Sequence, residues 1–120
     1  MQAYERTNFR RELDEAMLPF RMVVKRKGKS KMGWLKSVRQ ATGMPEEELA
    51  RRLGVCRREI RRLEVSEVNS RIMLGTLRRA AEGLGCELVY ALVPKQGTLE
   101  DLAAEQDGVR EQVLARKQGS

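Results

Sequence analysis

Four arginines at positions 57, 58, 61 and 62 are the residues of this chain best placed to do chemistry. At ~100° per residue, Arg57, Arg58 and Arg61 cluster on one side of a helix and Arg62 lies slightly around it. A guanidinium is a permanently charged planar fork of donors that fits a phosphate, or the O6 and N7 edge of a guanine, bidentately. The chemistry on offer is recognition of a polyanion. Glu59 stands among the four, either to orient an arginine or to accept from a cytosine amine. The competing reading is a solvated face on which the arginines pair with Glu59 and Glu64. Lys36 and Arg39 before this segment, and Arg71 after it, are further candidate phosphate contacts. Lys25, Arg26, Lys27, Lys29 and Lys31 form either an arm for the backbone or minor groove, or a plain solvated linker.

Other chemistries are short of parts. The chain has no histidine, which removes the commonest general base and metal ligand. Cys56 and Cys86 stand alone and thirty residues apart, so neither a zinc motif nor a disulfide framework is expected. No nucleophile–base pair and no phosphate-cradling glycine loop can be assembled. No catalytic site, metal or cofactor is therefore expected. The longest apolar run, Leu88 to Val93, is too short to span a bilayer, and the first twenty residues carry no signal-peptide core. A reduced, cytoplasmic protein with no membrane partner is the expectation. The net charge of +7 is unevenly spread: residues 21–62 hold fourteen Lys/Arg against four Glu, a net +10, while the remainder nets −3. That distribution suits one face meeting phosphate and another meeting protein.

The elements that must position the arginines read as follows. Pro45 opens a helix with Leu49, Ala50 and Leu53 on one face, and Gly54 supplies a tight turn. Ile60, Leu63 and Glu64 line the inner face of the next helix, small Ala50 lets the two cross closely, and Val55 with Ile60 closes the wedge. An apolar inner stripe with guanidiniums outside is the pattern of a helix-turn-helix, whose second helix enters the major groove. Trp34 to Thr42 is a helix with Trp34, Leu35, Val38 and Ala41 inward, capped by Gly43. Leu74 to Leu84 is another, with Leu74, Leu77, Ala81 and Leu84 inward and Gly85 as its stop. Before them Phe9, Leu13, Ala16, Met17 and Phe20 fall at helical spacing, and Pro19 should end that helix.

The period then changes. Cys86, Leu88, Tyr90 and Leu92 alternate with Glu87, Val89, Ala91 and Val93 up to Pro94, which predicts a strand. No strong partner strand exists in the chain, Met22 to Lys25 being the only weak candidate, so pairing with the same strand of a second copy is expected, with Leu88, Val89, Tyr90 and Leu92 at the dimer interface. Thr98-Leu-Glu-Asp101 resembles a capping box opening a helix to about Lys117, with Leu102, Val109 and Val113 as one apolar stripe. The expected organisation is an N-terminal amphipathic helix over 1–23, a basic linker over 24–33, a helix-turn-helix domain with terminal strand over 34–94, and a helical tail over 95–120. The fold class is mainly α.

Three stretches carry a resemblance: Trp34-Leu-Lys-Ser-Val-Arg-Gln-Ala-Thr-Gly-Met44, Leu49-Ala-Arg-Arg-Leu-Gly-Val55, and Leu77-Arg-Arg-Ala-Ala-Glu-Gly-Leu-Gly-Cys-Glu-Leu-Val-Tyr-Ala-Leu-Val-Pro94. Together they resemble the Xre/Cro-type regulators called mobile mystery protein A, over roughly residues 5–105. The resemblance implies a sequence-specific autorepressor of a mobile-element or toxin–antitoxin-like operon, bound to double-stranded operator DNA as a homodimer. It also implies a neighbouring Fic-domain protein as partner, so that direct binding to that partner is the alternative main task. Two positions depart from the family pattern. Cys56 stands where Ser or Thr usually caps the recognition helix, either as a redox switch or as a small residue filling the turn. Glu46 stands where Gln or Thr usually lies near a phosphate.

Overall fold

The computed structural model of the chain describes residues 1–25 and 32–118. Among them are six helices: α1 (Ala3–Lys25), α2 (Trp34–Ala41), α3 (Glu46–Leu53), α4 (Arg57–Val68), α5 (Leu74–Gly83) and α6 (Leu99–Gln118). Two compact units result. Helices α2–α5 with the chain up to residue 90 form one, and α1 with residues 91–98 and α6 form the other.

In the first unit α3 packs on α4 and α5, and α2 packs on α4. The core is Leu35, Leu49, Ala50, Ile60, Ala80 and Leu84, with Leu53, Leu63 and Leu77 partly buried around it. Leu49 and Ile60 are each only 1% exposed, so truncation of either would cost about 2–5 kcal/mol. Ala50 and Ala80 keep the contacts thin enough for α3, α4 and α5 to share one apolar centre. Gly83 serves the same end, because a Cβ there would lie 2.9 Å from Leu53 and 3.0 Å from Leu49.

The turn at Gly54 explains why α4 starts where it does. Gly54 adopts φ 67°, in the left-handed region that glycine enters without penalty. Its N–H donates to the Arg51 carbonyl while Val55 N–H reaches back to the Ala50 carbonyl at 3.0 Å, which is the Schellman closure. The same pair of bonds ends α4, where Ser70 takes the left-handed position at φ 57°. The start of α2 is closed from outside. Gly33 has no side chain to cap with, and the Glu67 carboxylate of α4 accepts from Trp34 N–H and Leu35 N–H at 2.8 Å each. A Cβ at Gly33 would sit 2.9 Å from that carboxylate, so the missing side chain makes room for the cap. A negative group at a helix N-terminus also meets the favourable end of the dipole.

A second bond between α2 and α4 is buried. Arg39 Nε donates to Glu64 Oε1 at 2.7 Å and Nη2 to Glu64 Oε2 at 3.3 Å, with both residues only 6% exposed. Arg39 Nη1 also donates to the Met44 carbonyl at 3.2 Å, holding the turn into α3. The carboxylate holds the Arg39 pKa above its ordinary value, chiefly through this hydrogen bond.

The other unit is built differently. The α6 start is a reciprocal capping box, Thr98 N–H to Asp101 Oδ2 at 2.9 Å and Asp101 N–H to Thr98 Oγ1 at 3.2 Å. Asp14 of α1 accepts from Leu99 N–H at 2.9 Å, and Arg10 grips Glu100 through Nε and Nη2. None of the described side chains of this unit is buried, and only Leu99 and Ala103 of α6 are even half-covered.

Several expectations change. Pro19 lies inside α1, which runs on to Lys25; Met17, Phe20 and Arg21 on either side of it remain half-buried, and the Arg21–Asp14 ion pair at 3.4 Å spans the proline. Packing on both flanks outweighs one missing N–H. Trp34 is 67% exposed, and Ala41 and Leu74 are exposed too, because Leu35 and Val38 with Arg39 already fill the α2 contact and Ala80 with Ala81 fills that of α5. Val55 is also exposed, its place in the wedge taken by Leu53 and Leu63. Residues 86–94 form no strand, and no strand occurs among the described residues; a single segment with no neighbour has no ladder to make. The linker expected from residue 24 starts two residues too early, since α1 runs to Lys25, and Arg26, Lys27, Lys29 and Lys31 lie outside the described residues.

The Arg39–Glu64 pair yields a direct test. Arg39→Met alone should lower unfolding stability by about 3–5 kcal/mol, because it strands a buried carboxylate. Adding Glu64→Leu should restore wild-type stability or exceed it. Urea titration of the two variants distinguishes this from a surface pair, for which both changes would be worth under about 1 kcal/mol.

Candidate nucleic-acid interface

The fold turns the inner face of α4, Ile60 and Glu64, into the core, and leaves Arg57, Arg58, Arg61 and Arg62 outside. Each of the four arginines is exposed. Their state is less simple than a row of free cations. Arg57 Nη1 meets Glu47 Oε1 at 2.7 Å and its Nε meets Glu46 Oε2 at 3.3 Å. Arg61 Nε donates to the same Glu46 oxygen at 2.9 Å. Arg62 Nε donates to Glu59 Oε2 at 2.8 Å, so Glu59 is an orienting residue. Only Arg58 of the four makes no ion pair among the described residues.

The other candidates divide. Lys36 lies half-buried in a groove with Glu46, Arg61, Val65 and Val68. Arg71 is exposed in the turn after α4. Arg39 is withdrawn from the interface altogether, since its guanidinium is consumed by Glu64 and the Met44 carbonyl inside the fold. A basic residue on an amphipathic helix reads the same in sequence whether it faces phosphate or a buried carboxylate. Lys27 lies outside the described residues. Leu88 is half-buried, whereas Val89, Tyr90 and Leu92 are exposed among the described residues.

Sequence reading missed the role of the first turn of α3. Glu46, Glu47 and Glu48 suit the positive end of the helix, but they also reach outward to arginines. Glu48 binds Arg51 and Arg52, and these two bonds, the Arg51 one larger, push its pKa down to about 2. The Glu47 carboxyl is held below its ordinary value by a backbone N–H at the helix start and then by Arg57. Glu59 is lowered by its hydrogen bond from Arg62. The missing signal was tertiary: in a helix-turn-helix the N-terminal turn of α3 lies across the N-terminal half of α4, so residues ten to fifteen apart become partners. Cys56 precedes α4 with no side-chain cap bond, as its chemistry predicts.

This geometry agrees with comparison to known families. Residues 35–90 match the helix-turn-helix family HTH_3, a domain of the Xre/Cro type, and the match runs from α2 into the segment after α5. Comparisons with curated proteins and with solved structures gave no significant match. The chain thus carries an HTH_3 helix-turn-helix domain, the fold of a DNA-binding regulator, flanked by a two-helix unit that the match does not include. No helix among the described residues is long and apolar enough to cross a membrane, and no cluster of metal-ligating side chains occurs among them.

The depressed carboxylates give a pH dependence with a definite sign. Groups whose folded pKa is lowered stabilise the folded state above their unfolded pKa and lose that contribution as pH falls through the folded value. For Glu48 the window runs from about 4.5 down to about 2. Glu48→Gln should therefore lower thermal stability at neutral pH and converge with wild type as the pH approaches 2. A constant difference across that window would refute the assignment.

Proposed function

We propose that this chain is a sequence-specific DNA-binding transcriptional regulator, a binding protein and not an enzyme, working in the bacterial cytoplasm. The observation that carries this is an HTH_3 domain whose α4 is held rigidly from inside by Ile60 and the Arg39–Glu64 pair while it presents four arginines outside. In the docking that this fold supports, α4 lies in the major groove, Arg58 and its neighbours meet base edges, and Lys36 and Arg71 meet phosphates. The regulator acts as a two-fold dimer, because two recognition helices about one turn of DNA apart, ~34 Å, are needed to read a palindrome. The largely exposed 86–94 segment, with half-buried Leu88 and exposed Val89, Tyr90 and Leu92, supplies part of that contact by pairing across the axis. Resemblance to the mobile mystery protein A regulators supports an autorepressor of a mobile-element or toxin–antitoxin-like operon.

Binding of the chain to its own upstream region should fall steeply with salt, since neutralised phosphates release counterions. Arg58→Ala should relax the preference at particular base pairs by about 1–3 kcal/mol, whereas Lys36→Ala should weaken all duplexes alike. Two chains should be found per operator. Equal affinity for the upstream region and for random duplex at moderate salt would refute the reading.

One observation favours the antitoxin reading as a second task. Every described residue of α6 from Ala104 to Lys117 is exposed, including Val109, Val113 and Leu114. A helix so little covered is marginal in water, and exposed apolar side chains on a helix are a ligand for a groove on another protein. We therefore propose that a neighbouring Fic-domain protein binds α6. Truncation after Lys95 should weaken that complex; unchanged affinity in a shortened chain whose helix-turn-helix domain is still folded would assign α6 elsewhere.

A further inference from the structure

We propose that Glu46 and Glu47 are specificity-determining positioning residues of the DNA-binding surface: they hold Arg57 and Arg61 in fixed orientation and cancel their charge toward bulk phosphate. This rests on the DNA-binding reading and adds to it a reason why the surface would prefer particular base pairs over any duplex.

The argument begins with charge. Arg57, Arg58, Arg61 and Arg62 face Glu46, Glu47 and Glu59, which leaves one net positive charge on a surface that carries four guanidiniums. Non-specific attraction to DNA scales with the number of phosphates neutralised, so these carboxylates suppress that term directly. They do so without hiding the donors. Arg61 is held through Nε alone, and its two terminal nitrogens make no bond among the described residues, so an end-on fork stays open. Arg57 is held through Nε and Nη1, which leaves Nη2. A guanidinium already oriented by a carboxylate loses less side-chain freedom on meeting a guanine edge. An oriented fork matches O6 and N7 in one geometry, while a free arginine settles on any phosphate nearby.

The position of Glu46 reinforces this. One Oε2 serves both Arg57 and Arg61, one helical turn apart on α4, and Glu46 is itself fixed in the first turn of α3, which packs on α4 through the core. The clasp thus has the stiffness of the domain. Glu48, its neighbour, turns to Arg51 and Arg52 on α3 itself and touches none of the α4 arginines.

The test uses the full-length chain with a random-sequence duplex pool and with the duplex that the wild-type chain enriches from that pool. The doubly substituted chain, Glu46→Gln with Glu47→Gln, should bind random duplex at least about tenfold more tightly at low salt. Its log K against log salt slope should steepen by about 2, the value for two additional phosphate contacts, and its ratio of enriched to random affinity should fall. Single Glu47→Gln, which removes an exposed carboxylate with one partner, should give about half the slope change and guards against misfolding of the double variant. Glu48→Gln removes the same charge from the same helical turn and should change neither slope nor ratio. The proposal is overturned if the wild-type chain enriches a sequence while the Glu46 and Glu47 variants keep its slope and random-duplex affinity, or if Glu48→Gln changes them equally. If the wild-type chain binds no duplex, the DNA-binding reading itself fails and this inference with it, a result distinct from the others.

Discussion

The constraint on which the domain depends is the buried ion pair between Arg39 and Glu64. Two charges taken out of water in a small core are tolerable only when each satisfies the other, and the paired fork with a third bond to the Met44 carbonyl does so. Its geometric effect exceeds its net stability. Apolar contacts between α2 and α4 fix separation but permit sliding, whereas a two-point fork fixes register. Glu67 adds a second tie one turn further along α4, closing the N-terminus of α2. With α2 tied at both ends and α3 locked by Leu49 and Ala50, α4 has one available orientation. A recognition helix needs that, because a base-edge contact fails when the helix rotates by a fraction of a turn.

Charge on α4 is therefore used in two dielectric settings. Inside, leaving Glu64 unpaired would cost about 3–5 kcal/mol. Outside, Glu59 meets Arg62, and Glu46 and Glu47 reach across to Arg57 and Arg61, in solvent where each pair is worth little to stability. The cheapness of the outer pairs is their usefulness, since a ligand can trade against them at small cost. The acidic turn of α3 thus serves its own helix through the macrodipole and its neighbour through the guanidiniums.

What was legible in the sequence follows from which signals are local. The Gly54 turn, the Ala50 and Ile60 crossing, and the Thr98–Asp101 capping box are fixed by backbone chemistry within a few residues, and each stands where the pattern places it. Arg39 was misplaced because its partner lies 25 residues away; nothing near it distinguishes a buried guanidinium from a phosphate ligand. Trp34 was misplaced for the reverse reason, since its size suggests burial while α2 has only one narrow face to hide, and Leu35 occupies it. Glu46 and Glu47 show the same limit in the site. Helix-dipole logic accounts for them completely within α3, so their second role appears only when α4 is laid against them.

The two units pose opposite physical problems. The helix-turn-helix unit holds all of the described chain's buried side chains and closes its helix ends within itself. The α1–α6 unit has long helices, polar ties at Arg10–Glu100 and Asp14–Leu99, and no buried apolar residue among its described side chains. Such ties set an angle between helices but supply little of the burial that holds helices in water. The stripe expected on α6 does not form, because its apolar residues are spread around the helix with charged ones between them, so no continuous seam of the coiled-coil kind results. Apolar side chains bordered by charge in this way suit a short, specific contact more than a long coil. For this unit, burial has to come from another surface, and the identity of that surface determines whether the extension serves the dimer or a partner.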